Sequence, residues 1–436
     1  MAWLIGFCGI ILAFAGWQRD HVIYNPLTFF ALLWGLISIG AGMQLFGMYG
    51  TSNATYAMVL LGLLSFAAGT FFGNMSGKRC SAQAGSVTLN YKLVYVLGII
   101  AVIYMGSLAL VALSYLLRGY SLIYIRFSLF NNKESEMYGG GGLMYSIRYF
   151  IIQPILSYLP IICIVDMIIG KKDKFLLCIS IAALTLLILT SGGRLPILYV
   201  LIDILIVFMV SKKRIHFPKQ IKKLILGAGT VAVAVIVVVT FARGVSDLAQ
   251  NYYKYFVGCM PHVDRYYLPK VRENHYWALG ACVFKAPIQL VFLVLKKLHI
   301  VHDYPAWFYT ITEYLNTEPV YWIGRGTDMR FNGFVTVFYY FYLDFHYVSV
   351  VLYSFLFGFW TERVFIRAAR QVNARNMALL CIAFQMLTVS FARFEPVITR
   401  FFITMLMIAF SYHRPKKITS LWDISVTLPN IRLTKK

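Results

Sequence analysis

The chain has 436 residues, 60% of them hydrophobic and 13% charged, with a mean hydropathy of +0.71. A soluble globular protein of this length cannot hide so much apolar surface, so that class is excluded. Lysine and arginine outnumber the acids 40 to 17, giving a net charge of +23; the excess lies in short clusters flanking apolar runs, the pattern of cytoplasmic loops rather than of a nucleic-acid surface.

The apolar runs are too long and too unalternating for barrel strands, and lipid requires a backbone satisfied within each segment, so they read as α-helices. In chain order the expected spans are 3–16, 27–47, 55–73, 91–117, 147–169, 175–190, 197–210, 224–241, 347–362, 376–392 and 398–411. No basic residue precedes the first, and Trp17-Gln18-Arg19-Asp20 is no small-residue cleavage site, so no cleavable signal peptide is expected. Between 118 and 146 lies a polar loop with four consecutive glycines, Gly139–Gly142, a flexible tether without the flanking strand or Lys-Ser/Thr of a phosphate cradle. The densest basic cluster runs from Lys212 to Lys223. Placing it in the cytoplasm and alternating outward puts Arg19, Lys78 and Arg79, Lys171–Lys174, Arg363–Arg375 and the tail there too. The expected architecture is an all-α polytopic membrane protein of about eleven spans, N-terminus outside and C-terminus inside. It divides into eight spans over 1–240, an extracytoplasmic segment over 241–346, three spans over 347–411 and a basic cytoplasmic tail over 412–436.

Within the long segment, 281–298 is apolar but holds Lys285 and Pro287 and ends at Lys296-Lys297, so it reads as an interfacial helix rather than a further span. Of seven cysteines, Cys8, Cys163, Cys178 and Cys381 fall in spans, and no CxxC pair exists to hold a metal. Cys259 and Cys282 share the long segment and are free to pair if it faces an oxidising compartment.

Arginines on the outward face oppose the positive-inside bias and need a reason. Arg194 follows the Ser191-Gly192-Gly193 turn between two spans, Arg243 leaves the eighth span as Phe-Ala-Arg-Gly, and Arg393 leaves the tenth as Phe-Ala-Arg-Phe-Glu-Pro. Guanidinium forks suit phosphate, so the three are candidates to converge on one pyrophosphate; anchoring to head groups is the plainer reading for each. Glu395 is a salt-bridge partner for Arg393 or a base. His262, Asp264 and Arg265 lie together in Pro-His-Val-Asp-Arg-Tyr-Tyr, where a histidine near a carboxylate suits general-base work near neutral pH. No His-Glu-x-x-His or similar zinc spacing occurs, so metal independence is expected. The segment's many tyrosines and tryptophans, Tyr266, Trp277, Trp307 and Trp322 among them, suit either sugar stacking or an interfacial belt. Asp344, near the expected lipid boundary, is either paired or functional.

The block 331–345, with Asn332, Thr336 and an Asp344-Phe345 eight residues beyond the threonine, resembles the bacterial oligosaccharide repeat-unit (O-antigen) polymerases. That family tends to carry an Asn, a Thr and an Asp-Phe-Gly before a late span; here Asn332 lies one residue further from the threonine and His346 replaces the glycine. The Ser-Gly-Gly-Arg turn of 191–194 is similar to a mid-chain turn of the same family, while its paired arginine motifs in outward loops are absent. The resemblance implies a multi-pass enzyme of the bacterial inner membrane without cofactor. Its substrate would be a glycan on undecaprenyl pyrophosphate, and a flippase and a chain-length regulator would be its partners. Arg194, Arg243, Arg265 and Arg393, with Asn332 and Thr336, would then bind substrate, and His262, Asp264, Glu395 or Asp344 would take the attacking hydroxyl's proton. An O-antigen ligase shares the donor, and a lipid-linked glycan flippase or transporter is the non-enzyme rival, although the chain shows no pair of related halves.

Overall fold

Asn25-Pro26 starts the second helix by a simple device. The asparagine side chain accepts the Thr28 amide at 2.7 Å, proline supplies a preset φ at the first helical position, and Asn25 Nδ2 donates back to the Gly16 and Val22 carbonyls. The fully buried asparagine thus closes a hairpin between α1 (Ala2–Asp20) and α2 (Pro26–Met43). The computed structural model describes residues 1–77, 87–121, 124–125, 128, 142–191, 195–212, 227, 230, 248–317, 319–325, 329–331 and 333–413.

The other long elements are α3 (Asn53–Gly77), α4 (Tyr91–Leu117), α5 (Gly142–Ile169), α6 (Lys174–Ser191) and α7 (Leu195–Ser211). After the long polar segment, which includes α8 (Leu248–Val257), α9 (Lys285–Lys297) and α10 (Ala306–Tyr314), come α11 (Val337–Arg370), α12 (Ala374–Thr388) and α13 (Thr399–Ser411). Among the described residues seven helices are long and apolar enough to cross a membrane, and three apolar ones, in α6, α7 and α13, are shorter. This is an all-α membrane-spanning architecture. The eighth expected span, 224–241, lies almost wholly outside the described residues.

Two differences from the sequence reading matter. The helix expected to begin at 347 begins at Val337 and runs 34 residues, broken at Phe345 and His346, the latter at φ 52° and ψ −131°. The half before the break is buried from Val337 to Asp344, so it contacts protein rather than lipid. Ser349 repairs the break: its hydroxyl accepts the Phe345 amide at 2.8 Å and lies 2.6 Å from the Phe341 carbonyl. The chain also forms two short antiparallel ladders, β1 (Thr88–Leu89) with β4 (Tyr412–His413), and β2 (Tyr321–Trp322) with β3 (Arg330–Phe331). The first draws the opening of the expected tail into the fold. Cys259 and Cys282 are both buried free thiols. A helix does form within 281–298, but its thirteen residues span only about 20 Å, short of a bilayer core.

The core is built where α3 lies along α11. A side chain on Gly69 would collide with the Phe355 carbonyl, and one on Gly358 with the Phe66 carbonyl, so glycine at both positions lets the two backbones approach. Phe30, Trp34, Phe66 and Phe338 fill the space beside this contact, and Trp34 Nε1 donates to Ser390 Oγ at 3.1 Å, fastening α2 to the turn after α12. At one end of the bundle Arg19 of α1 meets Glu362 of α11 at 2.7 Å, and Arg363 meets Ser76 of α3 at 3.2 Å. The ends of α1, α3 and α11 that carry Arg19, Ser76 and Arg363 therefore meet.

Candidate functional site

The turn between α12 and α13 is held from both sides. The Val335 amide donates to the Ala392 carbonyl at 3.0 Å, and Phe394 packs on Phe341 and Phe357 with centroids 5.0 and 5.9 Å apart. Pro396 starts a short turn of 3-10 helix, Glu395–Val397, that aims the carboxylate back across the turn. Arg393 grips it from two residues away: Nε and Nη2 each lie 2.9 Å from Glu395 Oε1. The same oxygen accepts the hydroxyl of Tyr199. Tyr199 stands in the second turn of α7, so the start of α7 and the Arg393 turn meet.

Burial works against the charge of Arg393, but the Glu395 carboxylate together with Tyr199 and Tyr340 outweighs it, holding the guanidinium's pKa above its ordinary range. The Arg393 side chain is 23% exposed and Glu395 only 3%, so a ligand reaches the arginine first. Six residues past Arg393 the chain enters α13, whose Arg400 Nη1 donates to Gln153 Oε1 of α5 at 3.0 Å. Thr404 Oγ1 donates to the Pro154 carbonyl at 3.1 Å and locks that pairing of helices. Thr399 donates to Gln289 of α9, drawing the amphipathic helix to the same corner. A π-helical turn, Arg148–Ile152, precedes Gln153 and buries Arg148. π-Turns of this kind are frequent at functional sites.

The other candidates lie elsewhere. His262 is fully buried and ringed by Tyr267, Tyr321 and Phe331, with centroids 4.9, 5.7 and 5.1 Å away. Its Nδ1 lies 2.7 Å from the Phe334 carbonyl, which fixes the ring proton there, and its Nε2 has no partner among the described residues. Burial pulls its pKa down to about 4, against the pull of the Phe334 carbonyl. Asp264 faces the other way and caps α3, taking the Ser52 amide at 2.9 Å, Thr55 Oγ1 at 2.5 Å and the Ser52 hydroxyl. The His-x-Asp pair suggested by the sequence is thus split between two jobs, because neighbours two apart in a helical turn point in different directions. Arg265 lies over the Tyr49 ring at 4.0 Å. Asp344 is fully buried and holds the Cys282 and Val283 amides at 2.9 and 3.2 Å, fastening the 278–283 turn to the broken helix. Thr336 caps α11 through the Tyr339 amide at 3.2 Å. Arg194, Arg243 and Asn332 lie outside the described residues.

Of the aromatics proposed for sugar stacking, Tyr266 stacks on Tyr321 and Tyr276 on Tyr314, whereas Trp277, Trp307 and Trp322 are exposed. Arg148, Gln153, Tyr199 and Gln289 were not among the sequence candidates. Arg148 could have been found by the rule that selected Arg194, being an arginine at the end of an expected span; Tyr199 could not, since a tyrosine in an apolar run carries no signal of its partner. Among the described residues no group of three or more His, Cys, Asp or Glu side chains is placed to hold a metal ion. No protein-family model, curated protein or solved structure matches this chain. The fold defines the class reached here: an all-α protein with several membrane-spanning helices and an arginine–carboxylate–tyrosine cluster at one end of the bundle.

Proposed function

We propose that the chain is a membrane-embedded glycosyltransferase of the oligosaccharide repeat-unit polymerase type, joining undecaprenyl-pyrophosphate-linked glycans on the outer face of a bacterial inner membrane. The observation that carries this reading is the meeting of Arg393, Glu395 and Tyr199 beside Arg400 and Gln153, where three helices and the turn after α12 converge. In the proposed reaction an acceptor hydroxyl attacks the anomeric carbon of the growing chain. The new C–O bond forms as the bond to lipid pyrophosphate breaks, and the pyrophosphate departs with the electron pair. Negative charge grows on that leaving group, and preorganised guanidiniums at Arg393 and Arg400 stabilise it. The hydroxyl proton goes to a carboxylate, and Glu395 is the candidate base that stands beside an arginine; Asp264 and Asp344 are committed to backbone amides.

The test is deletion in the native host followed by gel analysis of surface polysaccharide. Loss of a polymerase leaves core plus a single repeat unit. Long lipid-linked chains that are never attached would identify a ligase instead, and absence of any exported unit a flippase.

A further inference from the structure

At the far end of α11 from the Arg393 turn, a cavity of about 410 Å³ opens between the ends of α1, α3, α7 and α11. Arg19, Asp20, Asn74 and Arg370 give it polar walls, and Val22 and Phe365 are among its apolar ones. Arg19 is gripped along one edge. Its Nε and Nη2 lie 3.1 and 2.7 Å from Asp20 Oδ2, and Nη2 lies 2.7 Å from Glu362 Oε1, which Asn74 also reaches at 3.3 Å. The guanidinium lies over the Phe71 ring at 5.5 Å. This leaves two buried polar atoms without a partner among the described residues, the donor Arg19 Nη1 and the acceptor Glu362 Oε2. Native structures rarely leave such atoms unmet.

Charge decides what kind of group belongs here. Arg19, Arg363, Arg367, Arg370 and Arg375 cluster at this end, opposed by Asp20 and Glu362. The balance favours an anion, while the Asp20 carboxylate in the cavity wall asks for a donor on the same ligand. The mixed walls, at the end of helices long enough to cross a bilayer, ask for an acyl-bearing molecule. We propose that this cavity binds the headgroup of a hydroxyl-bearing anionic phospholipid, of the phosphatidylglycerol type. The phosphodiester meets Arg19 and Arg370, and the glycerol hydroxyls face the carboxylate side. The site is independent of the Arg393 cluster and of the reaction proposed there.

The test uses the full chain, purified and delipidated in detergent, with thermal unfolding as the readout. Phosphatidylglycerol is expected to raise the unfolding midpoint by a few degrees in a saturable way, and phosphatidylcholine to leave it unchanged. Arg370→Gln, which removes one guanidinium, and Ala369→Leu, which fills the cavity, are expected to lose the rise, each measured against its own lipid-free midpoint. Arg19→Lys is a third variant, and the other two stand if it does not fold. Inorganic phosphate producing the same rise without lipid overturns the lipid assignment in favour of a soluble anion. An equal rise with phosphatidylcholine, or a rise that survives both Arg370→Gln and Ala369→Leu, overturns the site altogether.

Discussion

Tyr199 donates its hydroxyl to Oε1 of Glu395, the same oxygen that Arg393 grips, and so joins two parts of the chain 196 residues apart. One carboxylate oxygen thereby fixes an arginine and two helix ends in a single arrangement. A group held in this way needs no reorganisation when charge develops nearby, which is where electrostatic stabilisation is most effective.

The first consequence concerns Arg393. Arg393→Ala should cut chain elongation by about 100-fold, the usual loss when one donor to a developing anion is removed. Arg393→Lys should recover part of it, since it keeps the charge and loses the fork. The measurement is polysaccharide length in a complemented deletion strain, with protein level followed by immunoblot. Full-length polysaccharide from Arg393→Ala at normal protein level would remove Arg393 from the reaction.

Tyr199 tests the cluster differently. Tyr199→Phe keeps the ring and removes one hydrogen bond to a charged acceptor, a loss of about 1.5–3 kcal/mol in stability. Elongation should fall as well, because Glu395 and Arg393 lose a restraint. In a double-mutant cycle with Glu395→Gln the two effects should be strongly non-additive, since both act on one oxygen. Additive losses would show that the contact does not couple the two turns.

The helices were legible in the sequence and their junctions were not. Ten described apolar helices coincide with expected spans because lipid imposes one long-range rule on composition. The start of α11 was missed because 337–344 is buried among protein, where an apolar stretch rich in tyrosine looks like an interfacial belt. At the site, Arg393 and Glu395 stood out as a local pair. Nothing in the sequence could tie them to Tyr199 or set Arg400 on Gln153, since these contacts depend on how helices pack. The same limit explains His262 and Asp264, whose spacing suggested a dyad and whose side chains serve different walls.

Asp264 should therefore matter to stability and not to chemistry. Asp264→Asn keeps an acceptor for the Ser52 amide but weakens the two hydroxyl contacts, and should cost roughly 1 kcal/mol as an altered N-terminal cap. Polysaccharide length should be unchanged wherever the protein level is. A shortened polysaccharide from a variant of normal stability would return Asp264 to the reaction.

His262 makes the fold sensitive to acid. Its folded pKa of about 4 lies below the ordinary histidine value because burial opposes the charged ring. The sign follows: the unfolded chain takes up a proton near pH 6.5, while the folded one refuses it until about pH 4. The contribution to stability is complete above pH 6.5 and is lost as pH falls from there toward 4, by roughly 3 kcal/mol in all. His262→Gln retains an N–H for the Phe334 carbonyl and has no titrating ring. Thermal unfolding of the detergent-purified protein from pH 7.5 to 5 should show the wild type losing stability with acid and the variant following a flatter curve. Parallel curves for the two proteins would mean that this ring is solvated in the folded chain.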